Sequence, residues 1–593
     1  MLRILIFFLS FFSWQVLLSQ NPALAKSYFE KGELDKAAYE YKLLYEKFPY
    51  NDSYLLNLIK IYQSQGKYSA VEKLLQNLPL RQKPYLWVYL GYNYHLQKNE
   101  TKAAKYYQKA LKAVTKQSMQ AYMVGEAFKQ VYLLDEALKT YQIALKQHKN
   151  PALYLKMALI YAEKNNMPLM IRHLLLPLQD EAKYMSQIKY YLARYITDNP
   201  ENEINIILKK QLIQHIQQTH AARYYRLLQW LYTEQKEYKK AFFQLKSLYK
   251  KKLAGLGEIF HLAQTAVYNK KNADAKFIYH YIITQPEAGF FGERAKLALL
   301  DLDLKQILNK EDQDKISLLF KQYLQEPWSA ANKFDLQLSY ADFLAFHLKQ
   351  TAKALELLKQ VETLSLTKRQ KAAIKLKQAD ISLYQKHFNQ ALVLYTQVQL
   401  DFPNHPTGHR AIYDIARTSF FKGDINWAHA QLKIIKSVAD DLIANDAIDL
   451  DLTIINNKEE GDSLQTGLKT FARAKFEVFR KNPDRALRIL DTLTRNFKGQ
   501  LIYDDALILK GKILTQQKKY KLAIATYQAV LDNQTEDLLK DDALYKMALI
   551  EEKLGNLDTA KILYKKIILN YPASFWLTDA QKHYRKLRGD VLP

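Results

Sequence analysis

The sequence predicts an all-α chain that folds as a right-handed α-solenoid of stacked helix hairpins. Between Pro84 and Lys149 the pattern of large and small residues repeats with a period of 34 residues. At 593 residues the chain is too long for one ordinary hydrophobic core, whereas repeats escape this limit because each unit packs only on its neighbours. The 16 Gly and 15 Pro are few for this length, which favours helices throughout.

The repeat places seven marked positions in each of two successive copies and keeps residue size at six of them, all except Trp87 and Ala121. Three small residues mark places where helices must approach closely, and a tyrosine fills the gap between the helices. The first copy consists of Trp87, Leu90, Gly91, Tyr94, Ala103, Tyr107 and Ala110, and the second of Ala121, Val124, Gly125, Phe128, Ala137, Tyr141 and Ala144. Each copy is therefore expected to be one helix hairpin that buries its apolar face against the next.

This spacing resembles the tetratricopeptide repeat (TPR), a helix hairpin with aromatic, Leu, Gly/Ala and Tyr slots followed by Ala, Tyr/Phe and Ala. The resemblance implies a solenoid of about 14 or 15 hairpins. It also implies that the first helices of the hairpins face a concave groove, which in this family typically holds a helix or an extended peptide.

Residues 1–20 are predicted to be an export signal. Arg3 provides the positive start, a nearly unbroken apolar run extends from Ile4 to Leu18, and the small residue Ser19 precedes a polar stretch. The apolar run of about 15 residues is short for a membrane span, which favours cleavage after Ser19 over a retained anchor. We therefore expect the rest of the chain in the periplasm or at the periphery of the outer membrane.

The remaining chain divides by the quality of its repeats. Residues 21–180 hold clear TPR units, and residues 181–370 keep the helical period but lose most of the signature. The pattern returns in 371–440, and an acidic break with an extra helix follows in 441–466. Residues 467–593 carry further TPR units and end in an amphipathic helix that suits a solvent-facing cap.

Composition and motifs argue against catalysis, cofactors and metals. The chain has no Cys, no phosphate-binding loop and no nucleophile or metalloprotease motif, so we expect no enzyme, cofactor or metal. His405 and His409 lack a third ligand and fit a helix start better. The formal net charge of +27 comes from lysines spread over nearly every helix, which indicates no nucleic-acid partner.

Candidate groove residues occur on the first helices of the two best repeats, outside the signature slots. The resemblance places these positions on the concave face, although ordinary packing between helices is an equal alternative. The candidates are Tyr85, Tyr92, His95, Tyr122 and Lys129. A second set, Arg473, Arg480, Arg485 and Arg488, is a possible site for an acidic ligand, with a solvated face as the favoured interpretation.

Taken together, the chain resembles extracytoplasmic TPR proteins of Gram-negative bacteria. The resemblance implies a non-catalytic scaffold of the cell envelope that binds a protein or peptide in the concave groove. One alternative is a glycan-binding outer-membrane uptake protein with TPRs, and another is a non-catalytic part of a peptidoglycan-processing complex. The sequence leaves the oligomeric state open.

Overall fold

The computed structural model describes residues 22–179, 181–307, 309–436, 442–458, 465–533 and 537–590. The predicted export signal lies outside these residues. So do five acidic residues of the predicted break, namely Asp440, Asp441, Glu459, Glu460 and Asp462. Among the described residues no helix is long and apolar enough to cross a membrane.

The described chain is helical and divides into two compact units, Met1–Lys271 (unit 1) and Asn272–Pro593 (unit 2). The division falls inside the segment 181–370. Unit 1 contains α1 Pro22–Glu30, α2 Leu34–Lys47, α3 Asp52–Ser64, α4 Tyr68–Gln76, α5 Tyr85–Leu96, α6 Glu100–Lys116, α7 Ala121–Gln130, α8 Leu134–Gln147, α9 Pro151–Glu163, α10 Met167–Leu175, α11 Glu181–Leu192, α12 Glu203–Thr219, α13 Ala222–Glu234, α14 Tyr238–Lys250 and α15 Leu256–Tyr268.

Unit 2 continues the same pattern of helices. Its described helices are α16 Asn272–Ile283, α17 Gly289–Leu304, α18 Lys310–Gln325, α19 Ala330–Asp342, α20 Thr351–Glu362, α21 Lys368–Tyr384, α22 Phe388–Asp401, α23 Pro406–Lys422, α24 Ile425–Lys436, α25 Leu442–Asn456, α26 Thr466–Phe479, α27 Pro483–Asn496, α28 Ile502–Gln516, α29 Tyr520–Leu531, α30 Lys540–Leu554, α31 Leu557–Asn570 and α32 Leu577–Arg588. Short 3-10 turns cover Ser118–Gln120, Leu176–Gln179 and Asp537–Leu539, and a π-turn covers Phe343–His347.

Each unit is a stack of helix hairpins. In unit 1, α5 packs on α6, α7 on α8, and α9 on α10, and in unit 2 the clearest pairs are α21/α22, α23/α24, α26/α27, α28/α29 and α30/α31. These hairpin turns contain a left-handed residue, which is Gly at some turns, such as Gly423 with φ of 97°, and Lys at others, such as Lys98 with φ of 60°. In the α7/α8 and α9/α10 turns it is Tyr132 and Asn165. This conformation ends the first helix and reverses the chain. The fold is therefore an all-α solenoid architecture of repeated hairpins.

Glycines at the crossing point of a hairpin are packing residues, as the register predicted. A Cβ added at Gly91 would lie 2.5 Å from Cε1 of Tyr107, and one at Gly125 would lie 2.3 Å from Cε1 of Tyr141. Gly511 repeats the arrangement 2.5 Å from the Tyr527 ring. In each case the first helix lacks a side chain so that the tyrosine of the second helix can lie across it.

Unit 2 departs from simple stacking after α24. Helix α25 packs on α24 and also contacts α23, and the α26/α27 hairpin then returns to the ends of earlier helices. The ring of Phe476 on α26 lies 5.2 Å from Phe388 and 5.3 Å from Phe421. The Arg480 Nε donates to the carbonyl of Tyr384 at 2.9 Å, across 96 residues of sequence. An extra helix thus brings non-adjacent hairpins into contact.

Candidate protein-binding groove

The first helices α3, α5, α7 and α9 of four successive hairpins form one inward-curved face in unit 1. The Lys60 Nζ on α3 donates to Gln130 Oε1 on α7 at 2.9 Å, although α5 lies between these helices and contacts both. Tyr89 on α5 is only 2% exposed. Two side chains from flanking helices can meet over a third helix only if the face is concave. We call this face the groove.

Tyr122 and its charged neighbours form the most accessible part of the groove. The Tyr122 ring is 48% exposed and carries the Lys156 Nζ 4.6 Å from its centroid. The same ammonium pairs with Glu126 at 3.2 Å. Burial opposes the charged form of Lys156, but its hydrogen bond to Tyr122 and the Glu126 charge outweigh this and raise its pKa. Tyr122 therefore offers a partner an exposed aromatic ring next to the paired charges of Lys156 and Glu126.

Lys129 lies on the same helix as Tyr122 and is also paired. Its Nζ lies 2.7 Å from Glu163 on α9, so it ties α7 to the next hairpin. Ion pairs at a partly exposed surface contribute little stability, which leaves both charges able to exchange partners when a ligand arrives.

Tyr92 and His95 form a second patch on α5. Their rings stack at 5.9 Å, and the His95 Nδ1 lies 2.7 Å from Glu100 Oε1. Tyr92 is half-buried and packs against the core of unit 1, while His95 is exposed. In this patch Tyr92 packs against the core, whereas His95 is accessible to a partner.

Tyr85 departs from the expectation that it faces the groove. It is 4% exposed, and its hydroxyl donates to the Asp52 carboxylate, which also binds Lys83. Burial and that hydrogen bond raise the pKa of Tyr85. Because Asp52 belongs to the preceding hairpin, Tyr85 joins α5 to α3 as a packing residue.

Sequence reasoning missed several groove residues, namely Lys60, Glu126, Gln130, Lys156 and Glu163. One signal could have found two of them. Lys60, Tyr92 and Glu126 each directly follow the crossing position of a hairpin, at Ile59, Gly91 and Gly125. The position that directly follows the buried crossing residue lies on a different side of the helix. Polar residues that recur at this position therefore mark the open face of the groove.

No metal site appears in the described parts of the chain, where no group of three His, Asp or Glu residues converges. His405 instead caps α23, because its Nδ1 accepts the backbone N–H of Thr407 at 3.1 Å.

The fold and the groove define a helical-repeat protein. Family models described as tetratricopeptide repeat match residues 471–537 and 542–574. These matches show that the hairpins within 471–537 and 542–574 are tetratricopeptide repeats. No curated protein sequence matches the chain.

Solved structures that match the chain include Naa15/Naa10 bound to HypK-THB, which is 13% identical with a TM-score of 0.26 and 95% of each chain covered. The APC/C hetero-tetramer Cut9-Hcn1 is 10% identical with a TM-score of 0.22, covering 97% of this chain and 98% of that one. The apo quorum sensor NprR from B. thuringiensis is 17% identical with a TM-score of 0.23, covering 50% and 80%. Superpositions this loose carry no argument about function.

Proposed function

We propose that this protein is a non-catalytic scaffold of the bacterial cell envelope that binds a polypeptide in the groove of α3, α5, α7 and α9. TPR hairpins support a role in protein–protein interaction. The single observation that carries the choice of surface is the concave face bridged by Lys60 and Gln130, with Tyr122 exposed beside it. An exposed aromatic with charged neighbours provides large contact area at low entropic cost, as interaction hot spots do.

The groove suits a peptide better than a small molecule. Its polar groups are distributed over four helices, and its ion pairs join side chains that a peptide backbone or charged side chain can replace one by one. A stacked scaffold holds these contacts in place before binding, which limits the entropy lost when the partner docks. Many weak contacts then add up to a specific interaction.

The envelope location rests on the sequence of the first 20 residues, with Arg3 followed by an apolar run. Cell fractionation with N-terminal sequencing of the mature protein tests it. We expect an exported protein that lacks Met1, and a cytoplasmic protein with Met1 intact would contradict the location without affecting the groove.

The binding surface is tested by capture of partners from solubilised membranes with the full chain. We expect the Y92A/Y122A variant to keep its helicity and to lose at least about 1 kcal/mol of binding for each ring that acts as a hot spot. The variant Y39A provides a matched control, because Tyr39 is 63% exposed on α2, outside the groove.

A packing control separates binding from folding. Tyr107 fills a slot between helices, so Y107A should lower the melting temperature. If Y92A/Y122A binds as well as Y39A does, the groove is not the working surface.

A further inference from the structure

A basic cavity of about 630 Å³ opens in unit 2 where the α26/α27 hairpin meets the start of α22 and the end of α23. It lies where α26, which follows the extra helix α25 in the chain, contacts α23. Five cations line it, namely Lys386, Lys422, Arg473, Arg485 and Arg488, against the single carboxylate of Glu477. We call this space the basic cavity.

Three of the five cations have no carboxylate partner among the described residues. Lys422 pairs with Asp424 at 3.0 Å, and the Arg485 Nε lies 3.5 Å from Glu477. Within the described chain, Lys386, Arg473 and Arg488 make no ion pair, and Arg473 donates only to the hydroxyl of Thr470 at 3.0 Å. These three side chains are exposed at the rim and free to bind an anion.

Glu477 does not neutralise the rim. It is 3% exposed at the base of the cavity, where it accepts from Arg480 at 3.3 Å and from Asn482 at 3.2 Å. Arg480 does not line the cavity. The fold therefore separates it from the other three members of the predicted arginine set, Arg473, Arg485 and Arg488, which do. The charge at the mouth of the cavity remains strongly positive.

The floor of the cavity is aromatic. Phe421 and Phe476 are buried, Phe388 is half-buried, and their rings pack on one another at 5.2 and 5.3 Å. Ile489 on α27 completes the apolar lining. A rigid apolar floor beneath a cationic rim fits a ligand that carries an apolar side chain between carboxylates.

We propose that the basic cavity binds an acidic peptide segment, with carboxylates at Lys386, Arg473 and Arg488 and an apolar side chain against the phenylalanines. Arginine favours carboxylates because its planar fork can donate two parallel hydrogen bonds. The volume lies within the range of a few hundred to about 1,000 Å³ typical of ligand sites, which accommodates a few side chains. A nucleic acid would need cations aligned along an extended backbone path.

The site is independent of the groove in unit 1, so either can fail without the other. Fluorescence anisotropy with the full chain tests it, using a short labelled peptide of Glu and Asp around a Leu-Phe pair. The comparison peptides replace the carboxylates by amides, or the Leu-Phe pair by Ser-Ser. We expect the acidic Leu-Phe peptide to bind, the amide peptide not to bind, and the Ser-Ser peptide to bind more weakly.

The variants decide whether the cavity is responsible. R473Q/R488Q should weaken binding at least about tenfold, because each charge-assisted hydrogen bond contributes more than a neutral one. The matched control R495Q/R585Q removes two exposed arginines outside the cavity and should change affinity less than about twofold. Y92A/Y122A should bind as the parent does.

Equal losses in R473Q/R488Q and R495Q/R585Q would overturn the proposal, since they would show only diffuse attraction to a chain of formal charge +27. Equal binding of the Ser-Ser peptide would overturn the role of the aromatic floor. Competition by inorganic phosphate or phosphatidylglycerol vesicles at matched charge concentration would overturn the choice of a peptide. If circular dichroism shows that R473Q/R488Q is unfolded, the rim variant K386Q/K422Q replaces it under the same criteria.

Discussion

The same tyrosine slot is used differently in the two units. In unit 1, Tyr107 and Tyr141 lie across glycines, and their hydroxyls make no hydrogen bond with any described residue. In unit 2, Tyr395 donates to Asp380 at 2.5 Å, and Tyr564 donates to Glu552 at 3.0 Å. One repeat pattern therefore gives an apolar contact over a glycine at Tyr107 and Tyr141, and again at Tyr527 of unit 2, but a hydrogen bond to a carboxylate at Tyr395 and Tyr564.

The charge network of unit 2 is centred on Asp414 of α23, which is 2% exposed. The Arg410 Nε donates to it at 2.8 Å, and Arg417 forms an ion pair with it at 2.8 Å. Arg417 also lies 3.6 Å from Asp380 and packs on the Phe479 ring. The comparison shows that a hairpin repeat fixes where helices cross but leaves the chemistry of the crossing open.

The largest expected effect comes from breaking this network. R417M leaves the buried Asp414 and the partly buried Asp380 with less positive charge, and we expect it to destabilise unit 2 by about 3–5 kcal/mol. Thermal unfolding followed by circular dichroism measures the loss. The exposed R495M should stay within about 0.5 kcal/mol of the parent. A parent-like R417M would show that the network contributes no stability.

In unit 1 the largest effect comes from filling a glycine crossing. G125L places a side chain where the Tyr141 ring lies and should cost about 1–3 kcal/mol through overpacking. Because hairpins couple to their neighbours, melting should also become less cooperative. G66L serves as a control without steric conflict, since no atom lies within 4 Å of an added Cβ there, although its φ of 70° adds backbone strain. If G125L melts like the parent, the assigned register is wrong.

Unit 2 should also lose stability in mild acid. Burial and the neighbouring Lys481 lower the pKa of His347 to about 4. An unfolded histidine titrates near about 6.5, so between that pH and about 4 the unfolded chain binds a proton that the folded chain excludes. Stability therefore falls as pH drops through this window, by an amount on the order of 1–3 kcal/mol.

The variant H347Q isolates the contribution of His347 to this pH dependence of stability. The stability difference between the parent and H347Q should change between pH 7 and pH 4, as urea unfolding at each pH would measure. The carboxylates titrate in both proteins and cancel in the comparison. A difference that is independent of pH would contradict the assignment to His347.

The smallest effect distinguishes the two tyrosine environments directly. Y395F removes the donor to Asp380 and should cost about 1–2 kcal/mol, because a partly buried carboxylate loses a hydrogen bond. Y141F removes a hydroxyl that has no hydrogen-bond partner among the described residues and should be neutral or slightly stabilising. Thermal unfolding of the two variants in parallel measures the loss of stability in each. Equal destabilisation would contradict the difference between the environments of Tyr395 and Tyr141.

Much of the architecture could be predicted from the sequence because it depends on local periodicity. The 34-residue spacing located the crossings at Gly91 and Gly125, and the tyrosine slots at Tyr141, Tyr395 and Tyr564 are fully buried as expected. These features need only the hairpin itself, in which the interacting residues are 16 positions apart.

The groove could not be predicted to the same degree. Its contacts join residues of different hairpins, such as Lys60 with Gln130, and depend on how strongly the stack curves. Tyr85 was misplaced for the same reason, since its partner Asp52 lies 33 residues earlier. The basic cavity depends on a return contact across 96 residues, which no repeat period encodes.

A polypeptide that occupies the groove as proposed must contact the face beside Tyr122. Site-specific photo-crosslinking in cells tests it most directly, with a benzophenone side chain placed at Tyr122 in one variant and at Tyr39 in another. Both positions are exposed tyrosines of unit 1, on α7 and α2, so they differ chiefly in the face that they occupy. We predict a discrete protein adduct from position 122 that position 39 does not give. Adducts of equal yield at the two positions, or at position 39 alone, would contradict the claim.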